Sequence, residues 1–391
     1  MNNSLDALRP AQAVVDLDRL RANYRALAAF SPVPLMPVLK ADAYGHGARE
    51  VARALVELGA PLLAVAYVEE AVELRRAGIA TPIVVLAGFA AGQVPVLVEH
   101  RLTPVVSTPD QLRAVLACPE PHRLAAHIKV DTGMGRLGFA PAELPQVAGD
   151  LQEAGLVVEG LMTHLARADE DAAFTHLQLD RFDAAVSDLA RTGLRPKWTH
   201  AANSAGLAFL RPSHTLARPG LLLYGLRPRP LTPEVEVQPV MTVSARIALV
   251  KEVEPGTPIS YGGRFVTARP SRIATVPIGY ADGVPRTPAM AERGSFRVGG
   301  RRVPVAGTVC MDLTTLDVTS LPQVRAGEPA VLLGDAPTAW EVAEAAGTNA
   351  WAALTGIGAR VPRVYVEAGR VVAVASKFLP DPPPRDQGHQ G

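Results

Sequence analysis

From residue 35 to residue 224, short apolar runs alternate with amphipathic stretches, a pattern satisfied by parallel strands packed under helices. The runs at 62–66, 83–86, 104–106, 125–130, 156–162 and 198–200 read as strands, and 215–217 and 221–224 complete the series. Helical spacing of apolar residues predicts helices over 17–30, 48–58, 68–77, 91–99, 109–117, 141–154, 171–191 and 204–210, the first capped by Asp16 or Asp18. About 220 residues of such repeats approach the roughly 250 of a (β/α)8 barrel. A doubly wound sheet is the alternative that periodicity leaves open. Neither a glycine-rich dinucleotide fingerprint nor a Walker loop follows any strand.

The pattern breaks at 228–239, a proline-rich stretch that reads as a linker. Beyond it, alternating segments at 241–250, 272–278, 296–305, 330–333 and 363–374 are separated by Gly-Gly and Pro turns, with one helix at 338–346. The expected organisation is α/β: a barrel over 10–232, a mainly β domain over 233–376 and a disordered tail over 377–391. At 48% hydrophobic the chain can fill large cores, and a net charge of +1 lacks the attraction that a nucleic acid or membrane surface requires. Cys118 and Cys310 make no disulfide framework, residues 1–10 contain Asp6 and no apolar h-region, and no run of about 18 apolar residues occurs. A cytoplasmic protein is expected.

The chemistry gathers at 35–47, where an apolar run stops at Lys40 and gives way to a turn with Tyr44, Gly45 and Gly47. Burying an ammonium is costly, and desolvation lowers its pKa, which frees the amine that Schiff-base chemistry needs. A lysine whose charge merely reaches solvent is the plainer reading. Composition weighs against it: only five of the 39 Lys and Arg residues are lysines, so where charge suffices this chain writes arginine. A second lysine, Lys129, precedes the glycine-rich loop Asp131-Thr132-Gly133-Met134-Gly135-Arg136, which ordinary loop geometry with an Arg136–Asp131 pair would also explain. His164 and His200 end strands, where most histidines are core residues. Ser204 opens a helix, as an N-cap or as a phosphate donor.

Val38-Leu39-Lys40-Ala41-Asp42-Ala43-Tyr44-Gly45-His46-Gly47 resembles the pyridoxal-phosphate attachment segment of the alanine racemase family, and the resemblance extends over roughly residues 10 to 376. It implies a (β/α)8 barrel with a C-terminal β domain, pyridoxal 5'-phosphate as cofactor, alanine as substrate, D-alanine for peptidoglycan, and a head-to-tail homodimer with shared active sites. Lys40 and Tyr261 become the two catalytic bases. Tyr44, His164, Asn203, Ser204, Arg218, Gly220 and Leu221 become cofactor contacts, and Arg136 and Met311 substrate contacts. Lys129, carbamylated in the family, His200, Tyr280 and Asp312 support them. No metal is implied. An arginine facing the pyridine nitrogen can only donate, so it weakens the electron sink and disfavours transamination over racemisation.

Two positions depart from the family pattern: Val284 stands where an aromatic is usual, and Ala359 where many members have a tyrosine at the substrate entrance, with Trp351 at another tyrosine position. Both put strict alanine selectivity in doubt. A broader serine-accepting racemase, a non-catalytic pyridoxal-phosphate carrier barrel, and a metal hydrolase using His46, His164 and His200 are the other readings.

Overall fold

The computed structural model describes residues 9–210, 214–229 and 234–379, the side chains of residues 209 and 210 aside. Two compact units divide the chain, one holding Leu20–Ala43 and Ala48–Val237, the other holding Tyr44–Gly47, the chain from Gln238 onward and the chain's start through Arg19.

In the first unit, six strands lie parallel in sequence order: Leu63–Val65, Ile83–Val85, Thr103–Val106, Ala125–Lys129, Val157–Met162 and Trp198–His200. Residues 35–39 and 215–219 close the ring. Leu39 N–H donates to the Ala64 carbonyl at 2.7 Å, Met36 N–H to Ala217 at 2.8 Å, and Thr215 N–H to Thr199 at 3.0 Å. The result is an eight-stranded parallel barrel with its helices outside, as the alternation predicted, and not a doubly wound sheet. Strand residues such as Val84, Val105, Ile128 and Leu161 are fully buried, which explains why these segments are nearly all apolar instead of alternating. Lys40, Lys129, His164, His200 and Arg218 all stand at or just beyond strand ends on the face where barrels carry their chemistry.

The second unit is strand-rich. Its seven-stranded sheet runs Arg301–Pro304, Ser295–Val298, Pro329–Leu333, Met241–Arg246, Ala11–Asp16, Arg363–Glu367, Arg370–Ala375. The Ala11–Asp16 strand corrects the expected barrel start at residue 10: it alternates buried and half-buried residues, antiparallel to Met241–Arg246 and parallel to Arg363–Glu367. It abuts the helix Leu17–Phe30, whose first turn Asp16 caps by accepting from Arg19 N–H at 3.0 Å. Expected segments 296–305 and 363–374 each resolve into two paired antiparallel strands, whereas 241–250 divides between two sheets, Met241–Arg246 in the seven-stranded one and Leu249–Val253 in a three-stranded one. Two short helices, Pro288–Arg293 and Ala350–Thr355, were not expected. The 380–391 tail and residues 230–233 of the linker lie outside the described residues.

Arg363 is buried at the start of its strand. It donates from Nε to Gly45 O at 3.0 Å, from Nη1 to Gly358 O and Val361 O, and from Nη2 to Ile357 O at 2.6 Å. Arg363→Met leaves these carbonyls without donors, so urea unfolding should show stability reduced by about 2–4 kcal/mol. A loss below about 0.5 kcal/mol, the level of an ordinary surface change, would contradict that role.

Candidate active site

Lys40 begins a turn whose next four residues, none of them glycine, have left-handed φ: Ala41 53°, Asp42 53°, Ala43 54° and Tyr44 53°. Each L-residue held there costs roughly 1–2 kcal/mol, so the segment survives only because its surroundings determine it. Ala43 N–H bonds back to Leu39 O at 2.7 Å. Glu70 accepts Ala41 N–H at 2.6 Å on one oxygen and Ala66 and Tyr67 N–H on the other, and Asp42 accepts Ala48 N–H at 2.7 Å. Lys40 itself opens to solvent, unlike the buried residues before it. Its pKa is nonetheless lowered, first by desolvation and then by Arg136, with Glu70 opposing and Arg218 adding. Tyr44 is buried, which pushes its phenol up to about 12 and keeps it protonated.

Arg218 is buried without a carboxylate. Nη1 donates to His200 Nδ1 and His200 O, both at 2.8 Å. Nη2 donates to Thr163 O at 2.8 Å, Ala201 O at 3.0 Å and His164 Nδ1 at 3.3 Å. Among the described residues its Nε–H meets no hydrogen-bond partner. Burial brings the guanidinium to about 9, still charged at neutral pH. Burial, then this cation, holds His200 and His164 well below the usual histidine range and His127 at about 3. Both ring nitrogens of His200 and Nδ1 of His164 are committed to this network, so His200 has no nitrogen left for the metal-hydrolase reading.

Lys129 is buried, and burial, then Arg136 and Arg218, lower its amine to about 8 against the pull of Asp131. The Arg136–Asp131 pair does not form. Asp131 instead accepts the amides of Gly133 and Met134 at 2.9 Å and of Gly135 on both oxygens. Arg136 is exposed, and its charge reaches Lys40, Lys129 and His164.

Asn203 caps the Ser204–Leu210 helix by accepting Gly206 N–H at 2.9 Å and donates to Leu165 O. Ser204 is thus relieved of capping. Its hydroxyl accepts Gly220 N–H at 3.0 Å and Leu222 N–H at 3.3 Å, so hydroxyl and amides converge. Leu222, in the 3-10 turn Leu221–Tyr224, thus adds a second backbone amide beside that of Gly220.

In the strand-rich unit, Tyr261 is 68% exposed, Met311 51% and Tyr280 38%. Their backbones are pinned while the side chains of Tyr261 and Met311 reach solvent and the Arg286 guanidinium lies 5.4 Å over the Tyr280 ring. Thr308 Oγ1 donates to Tyr261 O at 3.1 Å, Tyr280 N–H to Cys310 O and Ala281 N–H to Met311 O, both at 3.0 Å. A Cβ at Gly279 would collide with the Cys310 and Met311 carbonyls, so glycine alone permits the two loops to meet. Buried Asp282 and Arg360 were missed from sequence. Asp282 accepts from Arg9, from Arg360 Nε at 2.7 Å and from Gly279 N–H, while Arg360 Nη2 donates to Asp312 at 2.6 Å. Ala359 is exposed, Val284 is buried, and Trp351 packs edge-to-face on Trp340 at 5.6 Å.

A closed (β/α)8 barrel with a perturbed lysine at a strand end, in a chain that also carries a strand-rich domain presenting tyrosines, defines an enzyme class built on a lysine amine; its family models make that class the amino-acid isomerases. Residues 15–228 match the family described as alanine racemase, N-terminal domain, and 240–365 match alanine racemase, C-terminal domain. An alanine racemase of Symbiobacterium thermophilum is 44% identical over 92% of this chain and 98% of its own, and one of Halothermothrix orenii is 42% identical over 91% and 97%. The structure of an alanine racemase from Clostridium difficile 630 superposes with a TM-score of 0.89 at 32% identity, covering 95% and 99%. That from Bacillus anthracis, with bound L-Ala-P, superposes at 0.87 with 34% identity, covering 94% and 98%. The chain belongs to the alanine racemase family.

Asp131 offers a test of how the loop is held. Burial raises its carboxyl, but the amides of Gly133, Gly135 and Met134, with Lys129, outweigh it and hold the pKa below 3.8. A lowered folded pKa means the contribution is present above pH 3.8 and lost as pH falls through the folded value. Hydrogen exchange at Gly133–Gly135 should stay slow at pH 5 and speed up at least about tenfold in Asp131→Ala at that pH. Equal protection in the variant would show that the carboxylate does not hold the loop.

Proposed function

We propose that the chain interconverts L- and D-alanine with pyridoxal 5'-phosphate, using Lys40 and Tyr261 as opposed acid and base. The observation that carries this reading is Arg218, a buried guanidinium held entirely by neutral acceptors with Nε–H left over. The donor set fits the cofactor. Lys40 would hold it covalently, Ser204, Gly220, Leu221, Leu222 and Tyr44 would take its phosphate, Arg218 its ring nitrogen, and His164 and Arg136 its remaining ring edge. When bound, the cofactor supplies the electron-withdrawing system that makes a substrate Cα–H acidic.

Racemisation requires a proton to leave one face of Cα and return on the other. The lowered amine of Lys40 takes or gives it on one face, and the Tyr261 phenol on the other. Arg136 and the Met311 amide hold the substrate carboxylate. Arg218, donor only, would donate to the ring nitrogen and disfavour its protonation, which would weaken the cofactor's electron withdrawal and disfavour transamination. Tyr261 and Met311, exposed on one chain, suit a head-to-tail homodimer in which each site takes these residues from the partner subunit. D-alanine for peptidoglycan is the assigned product, and the cytoplasm the compartment that two unpaired cysteines suit. Among the described residues no helix is long and apolar enough to cross a membrane.

Incubation with L-alanine or L-serine in deuterated water, followed by chiral analysis, tests this. Alanine should racemise with deuterium at Cα, and serine measurably though more slowly, because Ala359 leaves the entrance without an aromatic body and pocket discrimination of that size is only about 1–3 kcal/mol. Lys40→Ala should abolish racemisation in both directions. Tyr261→Phe should slow it about 10²-fold or more while retaining cofactor, with deuterium wash-in from D-alanine outlasting that from L-alanine. Near-normal Lys40→Ala activity would remove the reading.

Lys129 is the proposed carbamate. Arg136, Arg218 and Lys40 disfavour its cation and would favour an anion there. The neutral amine attacks carbon dioxide, forming an N–C bond and releasing one proton. With the amine at about 8, labelling from ¹³C-bicarbonate should rise between pH 7 and 9 and vanish in Lys129→Arg. An unmodified lysine at pH 9 under saturating bicarbonate would end the proposal.

A further inference from the structure

The bonds around Arg218 determine proton positions two residues away. A guanidinium only donates, so its 2.8 Å contact makes His200 Nδ1 an acceptor. His200 is neutral beside that cation, so its single proton sits on Nε2. Nε2 lies 2.8 Å from His127 Nδ1 and can only donate to it. His127 then carries its own proton on Nε2, which meets no protein partner. The two rings stand edge to face, 62° apart, with centroids separated by 5.0 Å.

The seat of this second ring is specific. His127 is wholly buried on the Ala125–Lys129 strand, in register with Gly160 of Val157–Met162. A Cβ at Gly160 would lie 2.5 Å from the imidazole. A glycine inside a strand weakens it and marks a close approach, so the barrel gives up a side chain to admit this ring. A hydrophobic residue at 127 would fill the space without strain on the polar groups, unless the His200 proton needs an acceptor.

We infer that His127 is a positioning residue: by accepting the His200 Nε2 proton it locks the tautomer whose Nδ1 holds Arg218, and so fixes the direction of the Arg218 Nε–H. Without that acceptor His200 gains by flipping its ring or its proton, and Nδ1 then repels the guanidinium it should hold. The consequence for the reaction rests on the proposal that Arg218 meets the cofactor ring. Its tautomeric core does not, because every bond in it lies within the protein.

The test uses cofactor-loaded protein labelled with ¹⁵N-histidine. In the wild type, His200 and His127 should each show a bare Nδ1 and a protonated Nε2, and the opposite tautomer at either would overturn the inference. His127→Leu and His127→Asn have side chains of the same γ-branched shape, but only Asn places an acceptor near the Nδ1 position. His127→Leu should disturb the His200 tautomer and lower kcat about tenfold with KM within about twofold. It should also raise pyruvate release per racemisation about tenfold, water supplying the oxygen while the amino group stays on the cofactor. His127→Asn should restore all three to within about threefold of wild type. Equal behaviour of the two variants, or a wild-type tautomer in His127→Leu, would overturn the inference. Should the protein fail to racemise alanine, the ¹⁵N signals still decide the tautomer, and only the functional reading falls.

Discussion

The Arg218 guanidinium is the charge around which the barrel face is built. A buried cation without a counter-ion is costly, and it persists because carbonyls and bare imidazole nitrogens take up its N–H groups. That choice propagates. It adds to the burial that holds His200 and His164 neutral and to the lowering of Lys40 and Lys129. A carboxylate partner for Arg218 would relieve the cost and weaken the part of each effect that comes from its charge, leaving the part that comes from burial.

The second constraint is mechanical. Lys40 must leave the barrel wall where the wall ends, and a right-handed continuation would not give its neighbours the bonds they make. Four left-handed residues do so, held by Glu70 from the next helix and by Asp42 on the next segment. Strain of several kcal/mol is thereby stored beside the reactive amine. Tyr261 shows the complementary arrangement, with pinned backbone and exposed ring: Ser260 before it has φ of 62°, and its hydroxyl is tied to Thr308 O.

Much of this was legible in the sequence. The helix Leu17–Phe30 and the strand Trp198–His200 emerged with the expected ends, since apolar spacing and a capping aspartate mark the one and short apolar bounds the other. The lysine count and the glycine-rich segments singled out Lys40 and Lys129. What was hidden depends on partners far away in the chain. Ala11–Asp16 carries no turn signal before its helix, and its sheet neighbours come from residues 241 onward. Ala-Asp-Ala-Tyr has no preference for positive φ, so tertiary bonds alone impose it. His127 looks like one polar residue in an apolar strand, and only the register opposite Gly160 shows what it does. Asp282 and Arg360 were obscured likewise, each ordinary in its loop and significant only as a pair.

The placement of Ala11–Asp16 between Met241–Arg246 and Arg363–Glu367 also imposes an order on the life of the chain. A ribosome delivers this strand before the barrel and both of its neighbours after it, Arg363–Glu367 last of the three. While the whole barrel is being made, both hydrogen-bonding edges of the strand remain open. The barrel can close from local βαβ contacts as it emerges, whereas the second sheet waits for the distant end of the message. A chain truncated before residue 363 would keep that strand with a bare edge, a template for pairing with other molecules.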